Sequence, residues 1–251
     1  MVELKGVSAA FSTGEVLHDL SVTFRKGEVT VLLGPNGCGK STLLRTILGF
    51  VERTGGEILL DGRPVEDFSS REIAQRIAYL PQSRPMPNIT ARRMVLHGRF
   101  PYLGYPRRYR KEDYAAVSEA LHKADAASLA DRALPQLSGG ERQRVYLAMA
   151  LAQSTDMILM DEPTTYLDVR HQLEVMDLAR RLAGEGKAVV LVLHDLCLAL
   201  RCGDKAAVMQ NGRLQVFGTP EEVYDSGVLQ QVFDVTVHRT RTEDGWRYYY
   251  D

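Results

Sequence analysis

The chain has 251 residues, 45% of them hydrophobic and 25% charged, with a formal net charge of −1. Such a composition suits one large α/β domain or two small ones with a well-buried core, and the near-neutral charge argues against a general polyanion binder such as a nucleic-acid protein. No apolar run approaches the roughly 20 residues of a membrane span, and Met1–Lys5 does not read as a signal peptide, so any membrane role is expected to run through a partner.

Cys38, Cys197 and Cys202 show neither paired nor metal-ligand spacing and read as reduced thiols of a cytosolic protein. Along the first 62 residues, strand-like runs alternate with turns. Val22-Thr23-Phe24 and Val29–Leu33 flank a Lys26-Gly27-Glu28 turn, and Gly56–Leu60 predicts a further strand. Phe11, upstream of these, reads either as a core residue or as a platform on which a base stacks.

The stretch Gly34-Pro35-Asn36-Gly37-Cys38-Gly39-Lys40-Ser41 follows an apolar strand and precedes the helical run Thr42–Leu48. Strand, glycine-rich turn and helix with the G-x-x-x-x-G-K-[ST] spacing predict a phosphate-binding loop. Glycines let backbone N–H groups curl around a phosphate chain, and the new helix adds its positive dipole end. Lys40 is then placed to reach the β- and γ-phosphates, and Ser41 to hold Mg²⁺. The thiolate form of Cys38 is expected to be favoured by the same dipole, so that a thiol reagent inactivates the protein and MgATP protects it.

Ile77–Leu80 is a second strand, ending in Pro81-Gln82. From there to Asp156 the pattern is helical, best at Glu112–Ala124 and Gly140–Ala152, which predicts a helical subdomain inserted between sheet strands. Within it, residues 98–111 mix aromatic and basic side chains and read as a solvated loop, a docking surface or a nucleic-acid patch.

The sheet resumes with Met157–Met160, which ends on Asp161-Glu162, a helix over Val169–Ala183, and the strand Ala188–Leu193, which ends at His194-Asp195. Alternating strands and helices predict a parallel sheet covered on both faces. Ala206–Met209 and Leu214–Phe217 around Asn211-Gly212 predict a hairpin. Thr219-Pro220-Glu221-Glu222 starts a capped helix, and Trp246–Tyr250 reads as a last strand.

Carboxylates at the carboxyl end of a buried strand sit where open α/β sheets bind ligands. Beside a phosphate loop, Asp161 is expected to complete Mg²⁺ coordination and Glu162 to polarise the attacking water. His194, at the end of the next strand, can reach a γ-phosphate. Leu137-Ser138-Gly139-Gly140-Glu141-Arg142-Gln143 puts a serine and two glycines at a helix start, a second anion cradle. Two cradles in one chain suggest that one serves a nucleotide held by a second copy.

Taken in order, the loop at 34–41, Pro81-Gln82, Leu137–Gln143, Asp161-Glu162, Leu167-Asp168 and His194 closely resemble the nucleotide-binding subunit of ATP-binding-cassette transporters over nearly the whole chain. The resemblance implies an α/β fold: a P-loop NTPase core with a mainly parallel sheet, an N-terminal antiparallel β part and an inserted helical subdomain. It implies a single domain over 1–251, with a nucleotide-binding core of 1–82 and 157–251, and a helical subdomain of 83–156 that carries the signature.

The same resemblance assigns Gln82 to a loop that senses Mg²⁺ and the membrane partner, and gives Ser41, Gln82 and Asp161 as metal ligands. Lys40, Gln82, Glu162 and His194 become the catalytic set, with His194 on the γ-phosphate. Phe11 falls under adenine, Asp168 in the loop that crosses a dimer interface, and residues 34–42, Thr42 included, around the phosphates. The implied assembly is a head-to-tail dimer holding two ATP molecules, each between one subunit's phosphate loop and the other's Ser138, Gly139 and Gly140.

Within the family, Glu162–Asp168 followed by His171-Gln172, together with Gly98–Gly104, resembles ATPase subunits of ferric siderophore importers, and Tyr166 fits that branch. Haem and cobalamin importers are near relatives. The branch implies a motor on the cytoplasmic face of the inner membrane, working with transmembrane permease subunits and an extracytoplasmic binding protein. Residues 98–111 then dock the permease, which displaces the nucleic-acid option. Two other readings compete: a soluble cassette protein without a permease, which tandem cassettes or coiled-coil insertions would mark, and a phosphoryl-transfer kinase, which leaves the Ser138 cradle without a use.

Overall fold

The structure is a computed structural model that describes residues 1–250 except 13, 166 and 244. It begins with a long hairpin of β1 (Val2–Phe11) and β2 (Gly14–Phe24), to which β4 (Arg53–Leu60) and the short β5 (Arg63–Pro64) add an antiparallel sheet in the order β2-β1-β4-β5. The sequence pattern breaks this hairpin into short runs because its register shifts three times between Leu4 and Ala10, interrupting the alternation of inward and outward residues.

The second sheet has the order β10-β9-β3-β8-β7-β6. Its parallel strands are β3 (Val29–Leu33), β6 (Ile77–Leu80), β7 (Met157–Asp161), β8 (Ala188–Val192) and β9 (Lys205–Gln210), and β10 (Arg213–Gly218) closes one edge antiparallel to β9. Every residue of β3, β7 and β8 is buried. That explains why these strands read as unbroken apolar runs, as central parallel strands covered on both faces must.

Alternate residues of β3 serve two separate cores. Val29, Val31 and Leu33 join the helices on one face, whereas Leu32 packs with the antiparallel sheet and with α1 (Lys40–Ile47) on the other. Each such leucine or valine, fully removed from water, contributes about 1.5–3 kcal/mol. The two cores fix the sheet between a helical layer and a β layer, and so fix where the carboxyl ends of β3, β7 and β8 emerge.

Between β6 and β7 the chain is helical: α3 (Ala91–Leu96), α4 (Lys111–Lys123) and α5 (Gly139–Ala152), with short 3-10 turns between them. α2 (Ser70–Ala74) precedes β6, and α6 (Val169–Gly184) and α7 (Leu196–Cys202) follow β7 and β8. An ion pair sunk among these helices ties them together. Arg99 Nε donates to Asp113 Oδ1 at 2.9 Å, its Nη1 donates to the Ala152 carbonyl at 2.9 Å, and the Asp113 side chain is 7% exposed. Burial pushes the Asp113 carboxyl up, but the Arg110 N–H and Arg99 outweigh it and hold the group below its usual range.

The 98–111 segment starts as a 3-10 turn, His97–Tyr102, whose rings stack: His97 on Phe100 at 4.9 Å and Phe100 on Tyr109 at 6.2 Å. Beyond it Tyr105, Arg107 and Arg108 are exposed. Two helices, α8 (Pro220–Asp225) and α9 (Val228–Phe233), lead to a separate hairpin of β11 (Val237–Thr242) and β12 (Gly245–Tyr250). The predicted last strand thus exists but belongs to its own two-stranded sheet, packed beside α7. Among the described residues, no helix is long and apolar enough to cross a membrane.

Candidate functional site

A cavity of about 340 Å³ lies over the start of α1 and is lined by Asn36, Gly37, Gly39, Lys40, Ser41, Thr42, Gln82, Glu162 and His194. Four separate stretches of sequence meet there because β3, β6, β7 and β8 run parallel and end on the same side.

The loop from Gly34 to Gly39 is shaped by glycine. Gly34 has φ 154, and a Cβ built on it would stand 2.3 Å from the Met209 carbonyl oxygen and 2.6 Å from Cys38 Sγ. Only a residue without a side chain fits there. Lys40 is 5% exposed, yet its ammonium meets no carboxylate among the described residues. Its Nζ donates instead to the Gly34 and Pro35 carbonyls at 2.7 and 3.0 Å. A buried cation held by two carbonyls and, at 3.8 Å, the Cys38 sulfur is suited to an incoming anion.

Ser41 Oγ donates to Asp161 Oδ1 at 2.9 Å, and Tyr79 Oη donates to Asp161 Oδ2 at 3.3 Å. Asp161 is 3% exposed; burial, and then the nearby Glu162, push its carboxyl above the usual range. One hydroxyl and one buried carboxylate form an all-oxygen donor pair of the kind Mg²⁺ takes when phosphates supply further ligands. No group of three or more His, Cys, Asp or Glu that could hold a metal ion occurs among the described residues.

Glu162 sits just past β7 with φ 51, a left-handed backbone that a glutamate rarely adopts. That turn brings its carboxylate into the cavity, where three groups grip it. His194 Nε2 lies 2.7 Å from Oε1, Gln82 Nε2 donates to Oε2 at 2.6 Å, and Thr165 Oγ1 donates to Oε2 at 3.1 Å. Gln82 thus presents its amide nitrogen to Glu162 rather than to Asp161.

The remaining predicted residues lie elsewhere. Phe11 is 41% exposed at the end of β1 and outside the cavity lining, which overturns its reading as a core residue. Ser138 and Gly139 are exposed at the start of α5, and the Ser138 hydroxyl caps that helix by accepting from the Glu141 N–H at 3.3 Å. Asp168 is exposed and caps α6. Neither lines the phosphate cavity of its own chain. Tyr166 lies outside the described residues.

The expectation for Cys38 is corrected. Its side chain is 5% exposed, and burial raises the thiol's pKa, outweighing the nearby Lys40, so the helix dipole does not produce a reactive thiolate. Burial likewise pushes Cys197 up to about 11 and raises Cys202. Alkylation with an uncharged reagent at pH 7 is expected to leave Cys38 unmodified while a free thiol in the same tube reacts fully. Fast modification that ATP blocks, followed by peptide mass spectrometry, would restore the activated thiolate.

Pattern reading also missed some of the site. Tyr79 shows no signal beyond its place in a strand. Arg84, two residues after Gln82, donates from Nε to the Pro81 carbonyl and from Nη1 to Gln143 Oε1, both at 2.6 Å, and lies over the Tyr146 ring. Burial, without a carboxylate ion pair among the described residues, lowers its pKa to about 10. Gln143 in turn donates to the Pro163 carbonyl at 2.5 Å, joining the segment after Gln82 to the turn after Glu162.

Comparison with known proteins decides the family. Residues 17–165 match the family described as ABC transporter. The chain belongs to that family. As an ABC ATPase it binds and hydrolyses ATP. It is 40% identical to the petrobactin import ATP-binding protein FpuD of Bacillus anthracis, over 92% of this chain and 86% of that protein. It is 45% identical to the hemin import ATP-binding protein HmuV of Streptomyces coelicolor, over 88% and 79%. A dimeric, post-hydrolysis structure of the ATP-binding cassette MJ0796 bound to ADP and Pi superposes with a TM-score of 0.76 at 30% identity, covering 88% of this ABC chain and 99% of that one. Family membership removes the phosphoryl-transfer kinase from the competing readings.

Proposed function

We propose that this ABC ATPase is the motor subunit of an importer for an iron chelate of the ferric siderophore class. The observation that carries the motor role is the cavity where Lys40, Ser41, Gln82, Glu162 and His194 converge. The cargo class rests on the petrobactin and hemin importers named among the relatives. Residues 1–82 and 157–251 form the nucleotide-binding core in this reading, and 83–156 a helical subdomain that carries the signature.

ATP lays its phosphates in the loop of residues 34–42, with Lys40 on the β- and γ-phosphates. Ser41 and Asp161, with the amide oxygen of Gln82, are the residues that would hold Mg²⁺, which when bound neutralises charge on the phosphates. Glu162, gripped by His194, Gln82 and Thr165, orients water in line with the γ-phosphorus and takes its proton. His194 follows the γ-phosphate, and Phe11 lies under adenine.

Ser138, Gly139, Gly140 and Asp168 serve the nucleotide of a second copy in a head-to-tail dimer. The exposure of Ser138, Gly139 and Asp168, and the absence of all four from the lining of their own phosphate cavity, support this. The dimeric cassette among the structural relatives does so too. Closure on ATP and release after hydrolysis would then shift permease subunits between two states, with the exposed 98–111 face as the docking surface. The chain sits peripherally on the cytoplasmic face of the inner membrane, and a binding protein delivers cargo from the other side.

The deciding experiment measures ATPase activity of the chain alone and in lipid with its permease, with and without binding protein loaded with a ferric siderophore. Stimulation by the loaded binding protein is expected. Response only to haem or cobalamin would move the cargo to those classes. Full activity with no response to any permease would favour a soluble cassette protein.

A further inference from the structure

The two segments that the head-to-tail reading presents to the second copy, the signature turn at 138–140 and the loop ending at Asp168, touch each other through one side chain. His171 is the third residue of α6. Its Nδ1 lies 2.7 Å from Asp168 Oδ1, and the same carboxylate oxygen accepts from the His171 backbone N–H at 2.9 Å. The far edge of the ring lies against α5. A Cβ built on Gly140 would stand 3.3 Å from both Cδ2 and Nε2 of His171 and 3.5 Å from Cε1. A side chain at 140 would press on the ring, so a glycine there lets the imidazole lie beside the first turn of α5, at the edge of a cavity of about 430 Å³ between α5 and α6.

We infer that His171 is a positioning residue that locks Asp168 to the signature turn, so that both meet the second copy's nucleotide as one preset surface. With Nδ1 protonated, the imidazole donates to Asp168 while its Nε2 edge bears on Gly140. A shift of the first turn of α5 toward α6 then meets the ring, which the 2.7 Å contact ties to Asp168. Without the ring, Asp168 keeps its backbone cap and α6 keeps its start, but the two segments move independently. Ordering them falls to the moment of dimer closure, which raises the ATP needed to close it.

This inference rests on the head-to-tail reading, and its test separates the two. In a Glu162→Gln background, where slow turnover lets closed dimers accumulate, ATP-driven dimerisation is followed by sedimentation velocity. Adding His171→Ala is expected to raise the half-saturating ATP concentration roughly fivefold, the scale of one hydrogen bond. Nucleotide affinity of the dilute monomer and the melting temperature should stay unchanged.

Two further variants divide the bridge. His171→Asn restores a donor near Asp168 without the ring edge, and His171→Phe restores the ring without the donor. Each should remain closer to alanine than to histidine. Full recovery by either one, wild-type dimerisation of His171→Ala, or an equal loss of monomer affinity would overturn the bridging role. If Glu162→Gln itself forms no ATP-driven dimer, the head-to-tail reading falls and this inference with it.

Discussion

Glu162→Gln is expected to bind ATP with near-native affinity and to hydrolyse it at least about 100-fold more slowly, the scale on which a positioned general base acts. Glutamine matches glutamate in length and volume, and it inherits the same strained backbone position at φ 51. What it loses is basicity and acceptor capacity. The native carboxylate accepts from Gln82 on one oxygen and meets His194 on the other, so both oxygens are engaged and each points into the cavity. An amide keeps one acceptor and replaces the other with a donor, leaving no group able to take a proton from water. Binding is spared because the phosphate-loop contacts lie on a different element, the turn into α1. Single-turnover phosphate release beside equilibrium nucleotide binding checks this. Turnover within a few-fold of the native rate would remove Glu162 from the role of base.

The motifs that could be read directly are those where one stretch of chain does one job. A glycine-rich turn with its Gly-Lys-Ser spacing lies in one short stretch between an apolar strand and a helix, and Lys40, Ser41 and Thr42 line one cavity. The central strands were legible for a related reason: β3, β7 and β8 are buried on both faces and show as continuous apolar runs. Where several segments share a job, pattern reading fell short. Arg84 and Gln143 are ordinary polar residues 59 positions apart until folding joins them. Tyr79 looks like any strand aromatic, although its hydroxyl reaches Asp161. Cys38 escapes the dipole argument because that argument is local, whereas burial of the thiol depends on the folded chain. The β1–β2 hairpin was fragmented because its register shifts break the two-residue period that marks a strand. The separate β11–β12 sheet has no signal in the period of either strand, since partner choice lies in packing against α7.

Lys40→Ala is expected to weaken ATP binding about 100-fold, within the 2–5 kcal/mol typical of truncating one partner of a buried, hydrogen-bonded charge pair. The native ammonium is held at the cavity wall by the Gly34 and Pro35 carbonyls, at 2.7 and 3.0 Å, with the Cys38 sulfur as a weaker third partner at 3.8 Å. Alanine removes the charge that meets the phosphates and also frees those two carbonyls, whose lone pairs then face the incoming anion. The loss therefore has two parts, an attraction removed and a repulsion exposed. Lys40→Met separates them, because its unbranched chain covers the same carbonyls without charge and should retain the fold while still binding poorly. Arginine is not a conservative replacement here. Its planar fork differs in shape and donor geometry from the compact ammonium that this 5% exposed site holds between two carbonyls. Equilibrium binding of a fluorescent ATP analogue, with melting temperature measured in parallel, reads affinity apart from folding. Near-native affinity in both Lys40→Ala and Lys40→Met would mean that the backbone N–H groups of the loop carry the phosphates unaided.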